Sequence, residues 1–305
     1  MLHTGNGQGR GRRVAVTAVQ QIRRMRGGAQ SHLMLASDGN LYVVKFRNNP
    51  QHARVLANEL LATRLGAAIG LAVPRCEVVE VSEWLISNTP ELCMEGKGAR
   101  QRCQAGWQFG SQFVGGLMPG QTFDYLPEEQ LLEVRNLREF AGVLALDKWT
   151  CNVNGRQAVF HKPRRERRYT ATFIDQGYCF HAGEWQFVDA PLRGVFALNS
   201  VYRGVTGWDS FEPWLGRIEG FDPRAAWAIA ETVPPEWCAG DLVLLESLVQ
   251  RLLDRRGRVR ELIVAFRESS RRPFPNWGAS GEKIVTGDFP GSPWMRDIGP
   301  GDAAT

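Results

Sequence analysis

The stretch Asp147-Lys-Trp-Thr-Cys-Asn152, followed further on by Phe173-Ile-Asp175-Gln-Gly177, decides the fold that this sequence predicts. Asp147 and Asn152 are five positions apart, and Asp175 comes at the end of a β-rich run. A phosphotransferase needs such a set, because one carboxylate orients the attacking hydroxyl while an amide oxygen and a second carboxylate hold Mg²⁺ against the ATP phosphates. The D-x-x-x-x-N spacing is a weak signal alone, so its value depends on the upstream sequence.

Composition sets broad limits. The 305 residues can form one large domain or two lobes, and 43% hydrophobic with 23% charged residues is ordinary for a soluble globular protein. The net charge of +5 favours anionic partners such as a nucleotide, a nucleic acid or a phosphorylated substrate. The six cysteines show no C-x-x-C pair and no zinc-ligand spacing. With no apolar leader or long apolar run, the sequence predicts a cytoplasmic protein with reduced thiols.

Upstream, a lysine and a glutamate each fall on an apolar face. In the predicted strand Leu41–Phe46, Lys45 shares a face with Leu41 and Val43. Asn49-Pro50 predicts the start of a helix that runs to about Gly66, and Glu59 lies on its apolar side. Either both side chains reach water, or they pair with each other, as in kinases that aim a lysine at ATP phosphates.

Two further segments fit a nucleotide site. Gly27-Gly-Ala-Gln-Ser31 enters a strand, and its small residues allow backbone N–H groups to approach an anion. The segment lacks the lysine spacing of a P-loop. Gln108–Gly116 predicts a strand that ends in two glycines, which fits either a hinge beside an adenine ring or a simple linker.

With these residues in hand, the chain resembles the HipA-like kinases, a bacterial branch of the protein-kinase-like fold. The resemblance covers roughly residues 25–270. It rests on five short motifs in family order: Gly28-Ala29-Gln30, Val44-Lys45, Asn58-Glu59, Asp147-x4-Asn152 and Ile174-Asp175.

The resemblance implies an α+β, two-lobed fold, with an N-terminal antiparallel β-sheet lobe carrying one main helix and a mostly helical C-terminal lobe. The expected boundaries are a disordered basic tail at 1–13, an N-lobe at 14–114 with its hinge at 110–116, a C-lobe at 115–270 and a disordered tail at 271–305. Helical patterns at about 210–219, 222–232, 240–255 and 258–268 fit this C-lobe.

The resemblance also implies Mg-ATP between the lobes and a role for each motif. Asp147 would be the catalytic base, with Asn152 and Asp175 on the metal, and Lys45 would contact the phosphates while Glu59 holds it. The loop residues that would cover the phosphates are Gly28, Ala29, Gln30 and Ser31. Those that would line the adenine are Gln112, Phe113 and Val114.

The expected activity is transfer of the ATP γ-phosphate to a hydroxyl, most simply serine or threonine of a protein. Family members act on protein serines in toxin–antitoxin systems, where a DNA-binding antitoxin is the partner. Met25 stands here where those kinases have an autophosphorylated serine. The basic loop 162–168 is either a solvated turn or a docking patch for an acidic protein or nucleic acid. Two alternatives remain: a catalytically silent nucleotide-binding regulator, and a basic RNA-associated protein.

Overall fold

The structure is a computed structural model, and it describes residues 16–96, 99–115, 121–238 and 240–278. The predicted tail at 1–13 therefore lies outside the described residues, as do 279–305 and Gly116 of the predicted hinge. Within the described residues, no helix has both the length and the apolar character that crossing a membrane requires. The N-terminal elements are, in order, β1 (Val16–Arg24), β2 (His32–Ala36), β3 (Leu41–Lys45), α1 (Val55–Ala68), β4 (Cys76–Val81), α2 (Glu83–Asn88), β5 (Cys93–Glu95), β6 (Arg100–Arg102) and β7 (Gly106–Gln112).

Five of these strands close into a barrel in the order β1-β2-β3-β7-β4. The neighbouring pairs are antiparallel except β1 with β4, which is parallel. Tyr42 and Val44 point into the barrel interior, and the alternation of the strand therefore turns Val43 and Lys45 to the opposite face. That outward face of β3 forms one wall of the cleft described below.

Helix α1 lies between the barrel and the C-terminal part, and it is buried on nearly every side. It packs against β4, β7 and α6, so its core is continuous with the C-terminal core rather than with the barrel interior. The predicted start at Asn49-Pro50 is wrong, since the helix begins at Val55. The Asn49 side chain instead accepts from the Gln51 N–H and donates to the Ala29 carbonyl, which makes a turn.

The C-terminal part combines a small sheet with helices. Its elements are β8 (Thr122–Phe123), α3 (Glu128–Leu132), α4 (Glu139–Trp149), β9 (Gln157–His161), β10 (Thr170–Ile174), α5 (Trp214–Glu219), α6 (Pro223–Ala230), α7 (Leu242–Asp254) and α8 (Val259–Arg267). The sheet is antiparallel in the order β10-β9-β8. Disorder from Arg271 onward is a wrong prediction for residues 271–278, because Phe274 is buried and Trp277 packs on the core.

Candidate active site

A cleft of about 950 Å³ lies between the barrel and the small C-terminal sheet. This volume is at the upper end of the range for small-molecule sites. The predicted site residues that line it are Gly28, Ala29, Ser31, Lys45, Glu59, Gln112, Phe113, Val114 and Asp175. Three others, Gln30, Asp147 and Asn152, are not among the lining residues.

An ion-pair cluster from three separate elements crosses the cleft. The Lys45 Nζ on β3 donates to Glu59 Oε1 on α1, and it lies 2.6 Å from Asp175 Oδ1 just after β10. The side chains are 10%, 3% and 17% exposed, respectively. The structure thus brings three of the five predicted site residues together, and Lys45 and Glu59 pair with each other instead of reaching water.

The electrostatics of the cluster keep Lys45 and Asp175 in their charged forms. Burial opposes the ammonium of Lys45, but the Glu59 and Asp175 carboxylates outweigh it and raise the lysine pKa above its ordinary value. Burial also acts to raise the pKa of Asp175, yet Lys45 holds it below its usual range. For Glu59, burial raises the pKa and Lys45 only partly offsets this effect. Lys45 therefore stays protonated and faces the cleft as a fixed positive charge.

The chain after Asp175 is anchored on the same glutamate. The backbone N–H groups of Gln176 and Gly177 donate to the Glu59 carboxylate at 3.0 and 2.9 Å. A Cβ on Gly177 would lie 2.7 Å from Val55 Cγ2, so only glycine allows this approach. Asp175 itself has φ of 62°, a left-handed conformation that points to a constrained loop.

Asn58 is a positioning residue that the sequence argument used only as a family motif. Its Nδ2 lies within 2.9 Å of the carbonyl oxygens of Gly177, Cys179 and Ala182, and its Oδ1 accepts from the Trp185 indole. It is fully buried. Helix α1 thus holds the loop after Asp175 through two neighbouring residues, one charged and one neutral.

The glycine-rich loop forms the roof of the cleft through Gly28, Ala29 and Ser31. Gly27 has φ of 114°, a value that non-glycine residues rarely adopt, and it sets the turn that brings the loop over the cleft. The prediction for Gln30 is wrong, because its amide oxygen accepts from Arg24 and its Nε2 donates to the Glu95 carbonyl. These contacts tie Gln30 to β1 and β5, outside the cleft.

Asp147, the predicted catalytic base, is buried behind the cleft. Helix α4 continues to Trp149, so Asp147 lies in its last turn and not beyond its end. The side chain is 0% exposed, and both of its oxygens accept from the Arg156 guanidinium. A carboxylate held in this way has no path to a substrate hydroxyl. The predicted role is therefore wrong for this structure.

Asn152, a predicted metal ligand, is hydrogen-bonded to the same buried carboxylate. Its Nδ2 donates to Asp147 Oδ1 at 2.9 Å, and its Oδ1 accepts from the Asn154 N–H at 3.0 Å. The residue is 3% exposed. Its amide therefore shapes the loop and does not reach the cleft.

Arg156 links this group to the cleft loop. Besides Asp147, its Nη1 donates to the Ile174 carbonyl at 2.9 Å and to Gln176 Oε1 at 2.6 Å, on either side of Asp175. Burial opposes the guanidinium charge, but Asp147 outweighs it and raises the pKa of Arg156. We call Asp147, Asn152 and Arg156 the buried brace, because they hold the loop after α4 and the chain on either side of Asp175 without lining the cleft.

Two residues of the following loop and strand line the cleft instead. Asn154 and Gln157 are both exposed and both belong to the lining. The Gln157 Nε2 donates to Asp175 Oδ2 at 2.7 Å, which leaves its amide oxygen free beside the carboxylate. Neither residue was singled out from the sequence. The only signal was the Asn154-Gly155 turn, which places the loop tip between helix and strand.

Comparison with known protein families gives one match, in the N-terminal part of the chain. Residues 18–156 match the family described as HipA-like kinase. The match covers nearly all of the barrel, α1 and the loop that carries Asn154, and it ends before Asp175. A search of curated protein sequences found no match.

Solved structures extend the likeness over most of the chain. The Helicobacter pylori proinflammatory kinase CtkA has 11% identity, with 83% of this chain and 97% of that chain covered and a TM-score of 0.52. The Golgi casein kinase with Mn/ADP bound has 12% identity, coverage of 84% and 73%, and a TM-score of 0.47. HipA from the Shewanella oneidensis MR-1 toxin–antitoxin system, solved with HipB and operator DNA, has 12% identity, coverage of 83% and 69%, and a TM-score of 0.39. The likeness to CtkA confirms the α+β, protein-kinase-like fold of this chain.

The donor set of this cleft fits a nucleotide with Mg²⁺. Among the described residues, no group of three or more His, Cys, Asp or Glu side chains is placed to hold a metal alone. Mg²⁺ commonly needs fewer protein ligands, since one or two carboxylates complete its coordination shell together with phosphates and water. Asp175 and the amide oxygen of Gln157 supply oxygen ligands of that kind, with Lys45 beside them for the phosphates.

The basic loop 162–168 connects β9 to β10 at the end of the sheet away from Gln157. Lys162 stacks over the Tyr169 ring at 4.6 Å, and Arg135 pairs with Glu166. The arginines at 164, 165, 167 and 168 are exposed. The loop is thus a solvent-facing basic surface on the sheet that also borders the cleft.

Proposed function

We propose that this chain is a phosphotransferase that binds ATP with Mg²⁺ in the cleft and transfers the γ-phosphate to a hydroxyl, that of a protein serine or threonine. The observation that carries the proposal is the position of Lys45. It reaches the cleft from β3 and contacts both Glu59 on α1 and Asp175 after β10. Phosphoryl transfer depends on such positioned charge more than on covalent participation by the protein.

Each part of the cleft has a task in this proposal. The small residues of the glycine-rich loop allow the backbone to approach phosphates, and Lys45 neutralises their charge. Gln112, Phe113 and Val114 line the cleft and would contact the adenine ring of ATP. Mg²⁺, held by Asp175 and Gln157, would neutralise the charge that develops on the phosphate oxygens.

We expect Mg-ATP to stabilise the folded protein, since a ligand that binds only the native state adds RT ln(1 + [L]/Kd) to its stability. The gain is about 2.7 kcal/mol when ATP is present at about a hundredfold its Kd. Differential scanning fluorimetry with Mg-ATP, Mg²⁺ alone and ATP with EDTA measures it. The Lys45→Met variant, compared with its own ligand-free melt, should lose most of the shift. An undiminished shift in that variant would move the nucleotide site away from this cleft.

Transfer itself is tested by incubating the purified protein with labelled ATP and host lysate, followed by phosphosite mapping. Asp175→Asn is the matched negative control, because it removes one charge from the cleft and leaves the Lys45–Glu59 pair in place. Phosphosites on serine or threonine that depend on Asp175 would support the proposed substrate class. Phosphosites that the variant produces equally would point to a contaminating kinase.

A second candidate function, a nucleotide-binding regulator without transfer, is favoured by one observation. Within the described residues, neither α4 nor the loop that follows it presents a carboxylate to the cleft, since Asp147 is buried against Arg156. For this candidate, we expect the Mg-ATP shift without phosphosites. An exposed basic loop at 162–168 would suit an acidic partner under either function.

A further inference from the structure

Asn154 lines the cleft close to the contacts that join Gln157, Asp175 and Lys45. Its backbone is fixed on both sides, because its N–H donates to Asn152 Oδ1 and its carbonyl accepts from the Gly194 N–H at 3.1 Å. Three residues later, Gln157 contacts Asp175, which contacts Lys45. Asn154 therefore lies on the cleft side of a loop that the buried brace holds in place.

The side chain of Asn154 has hydrogen-bonding capacity left for a substrate. Its Oδ1 accepts from the Gly155 N–H at 2.9 Å. An amide oxygen has two lone pairs, so it can accept a second hydrogen bond from a hydroxyl. An amide cannot, however, take up the proton of that hydroxyl at neutral pH.

Among the described residues, three acids line the cleft, and two of them are already hydrogen-bonded. Glu59 accepts from Lys45 and from two backbone N–H groups, and Asp175 accepts from Lys45 and Gln157. The third, Asp124, follows β8 and is exposed at the cleft margin. The loop that normally supplies the orienting carboxylate of a kinase thus presents an amide here.

We infer that Asn154 orients the substrate hydroxyl and that this chain transfers phosphate without a general base; this inference rests on the proposed function. The hydroxyl oxygen forms a bond to the γ-phosphorus while the bond from that phosphorus to the β–γ bridging oxygen breaks, which releases ADP. The hydroxyl proton passes to an oxygen of the transferred phosphoryl group. Asn154 holds the hydroxyl in line but contributes no proton transfer.

The test is to install the missing carboxylate. Asn154→Asp changes one exposed side chain, and Asp-Gly forms the same turn as Asn-Gly, so the variant should fold. Because a positioned general base contributes on the order of 10²–10⁴ in rate, we expect at least about a tenfold rise in turnover. Turnover is measured in two assays. One follows ADP release when water is the phosphate acceptor, and the other follows transfer from labelled ATP to a degenerate serine/threonine peptide library. Fluorimetry should show the Mg-ATP shift unchanged.

Two variants make the result specific. Asn88→Asp introduces the same charge at an exposed position of α2 outside the cleft lining, and it should leave turnover unchanged. Asp124→Asn removes the rival base and should have little effect on the wild-type rate. A tenfold loss in Asp124→Asn, or no gain in Asn154→Asp with its Mg-ATP shift intact, would overturn the inference. Absence of any Mg-ATP shift in the wild type would instead overturn the proposed function.

Discussion

Asp147→Asn is expected to lower the free energy of unfolding by about 3–5 kcal/mol, because it leaves the buried Arg156 guanidinium without its counter-charge. Both side chains are almost fully buried, at 0% and 1% exposure, so water cannot compensate. Urea or thermal denaturation measures the loss. If Asp147 were the catalytic base, the same variant would fold normally and lose only transfer, so the two roles predict different results.

The double variant Asp147→Asn/Arg156→Gln sharpens this test. Replacing both charges removes the unpaired cation, so we expect the double variant to be clearly more stable than the sum of the two single changes allows. Glu77→Gln is the matched control, since Glu77 pairs with the exposed Arg75 and a surface pair contributes at most about 1 kcal/mol. A loss in Asp147→Asn no larger than that in Glu77→Gln would refute the brace.

Asp175→Asn is expected to remove the magnesium-dependent part of the ATP shift and to slow transfer by about 10²–10³-fold, the usual cost of one electrostatic contact in an active site. Folding should survive, because Lys45 keeps Glu59 as its partner and the loop remains tied to Glu59 by two backbone N–H groups. ATP titrations with Mg²⁺ and with EDTA measure the first effect.

The slower transfer expected for Asp175→Asn is measured in the Asn154→Asp background, because that variant is expected to have a higher turnover. Gln157→Ala should give a smaller loss in the same direction, since it removes one neutral oxygen ligand. Wild-type magnesium dependence in Asp175→Asn would show that the cation binds elsewhere. Retained transfer with lost magnesium dependence would contradict the proposed use of the metal.

Part of the site could be predicted from local pattern alone. Alternation along β3 places Lys45 on the face away from the barrel interior, and helical periodicity places Glu59 on the buried side of α1 even though the helix starts later than predicted. A buried charge needs a partner, so each residue predicts the other. Asp175 could be predicted as a site residue because it directly follows the strand β10, and ligand sites favour the ends of strands.

The buried brace shows why the loop motif misled. Helix α4 continues through Asp147, which lies three, four and seven positions after Leu144, Val143 and Phe140, all buried. That spacing puts the carboxylate on the inner face, a position that only a nearby arginine makes acceptable. The sequence interpretation placed Asp147 just past the end of this helix, whereas the helix runs two residues beyond it to Trp149.

Asn154 and Gln157 were beyond reach of the sequence argument for a different reason. Which loop side chains face the cleft depends on how the loop packs, and Arg156 decides this by contacting Asp147 on one side and Ile174 and Gln176 on the other. Nothing in the spacing of the residues specifies a contact of this kind. Only the tertiary structure separates the residues that hold the loop from those that it presents.

The buried brace also separates two roles within the loop after α4. Buried residues maintain the shape of the loop, while the residues that it presents to the cleft are exposed and contribute little to the stability of the fold. Variants at Asn154 and Gln157 can therefore exchange acceptor preference, metal preference or catalytic power at small structural cost. A protein built in this way could gain or lose enzymatic competence through one surface substitution while keeping its architecture and its nucleotide site.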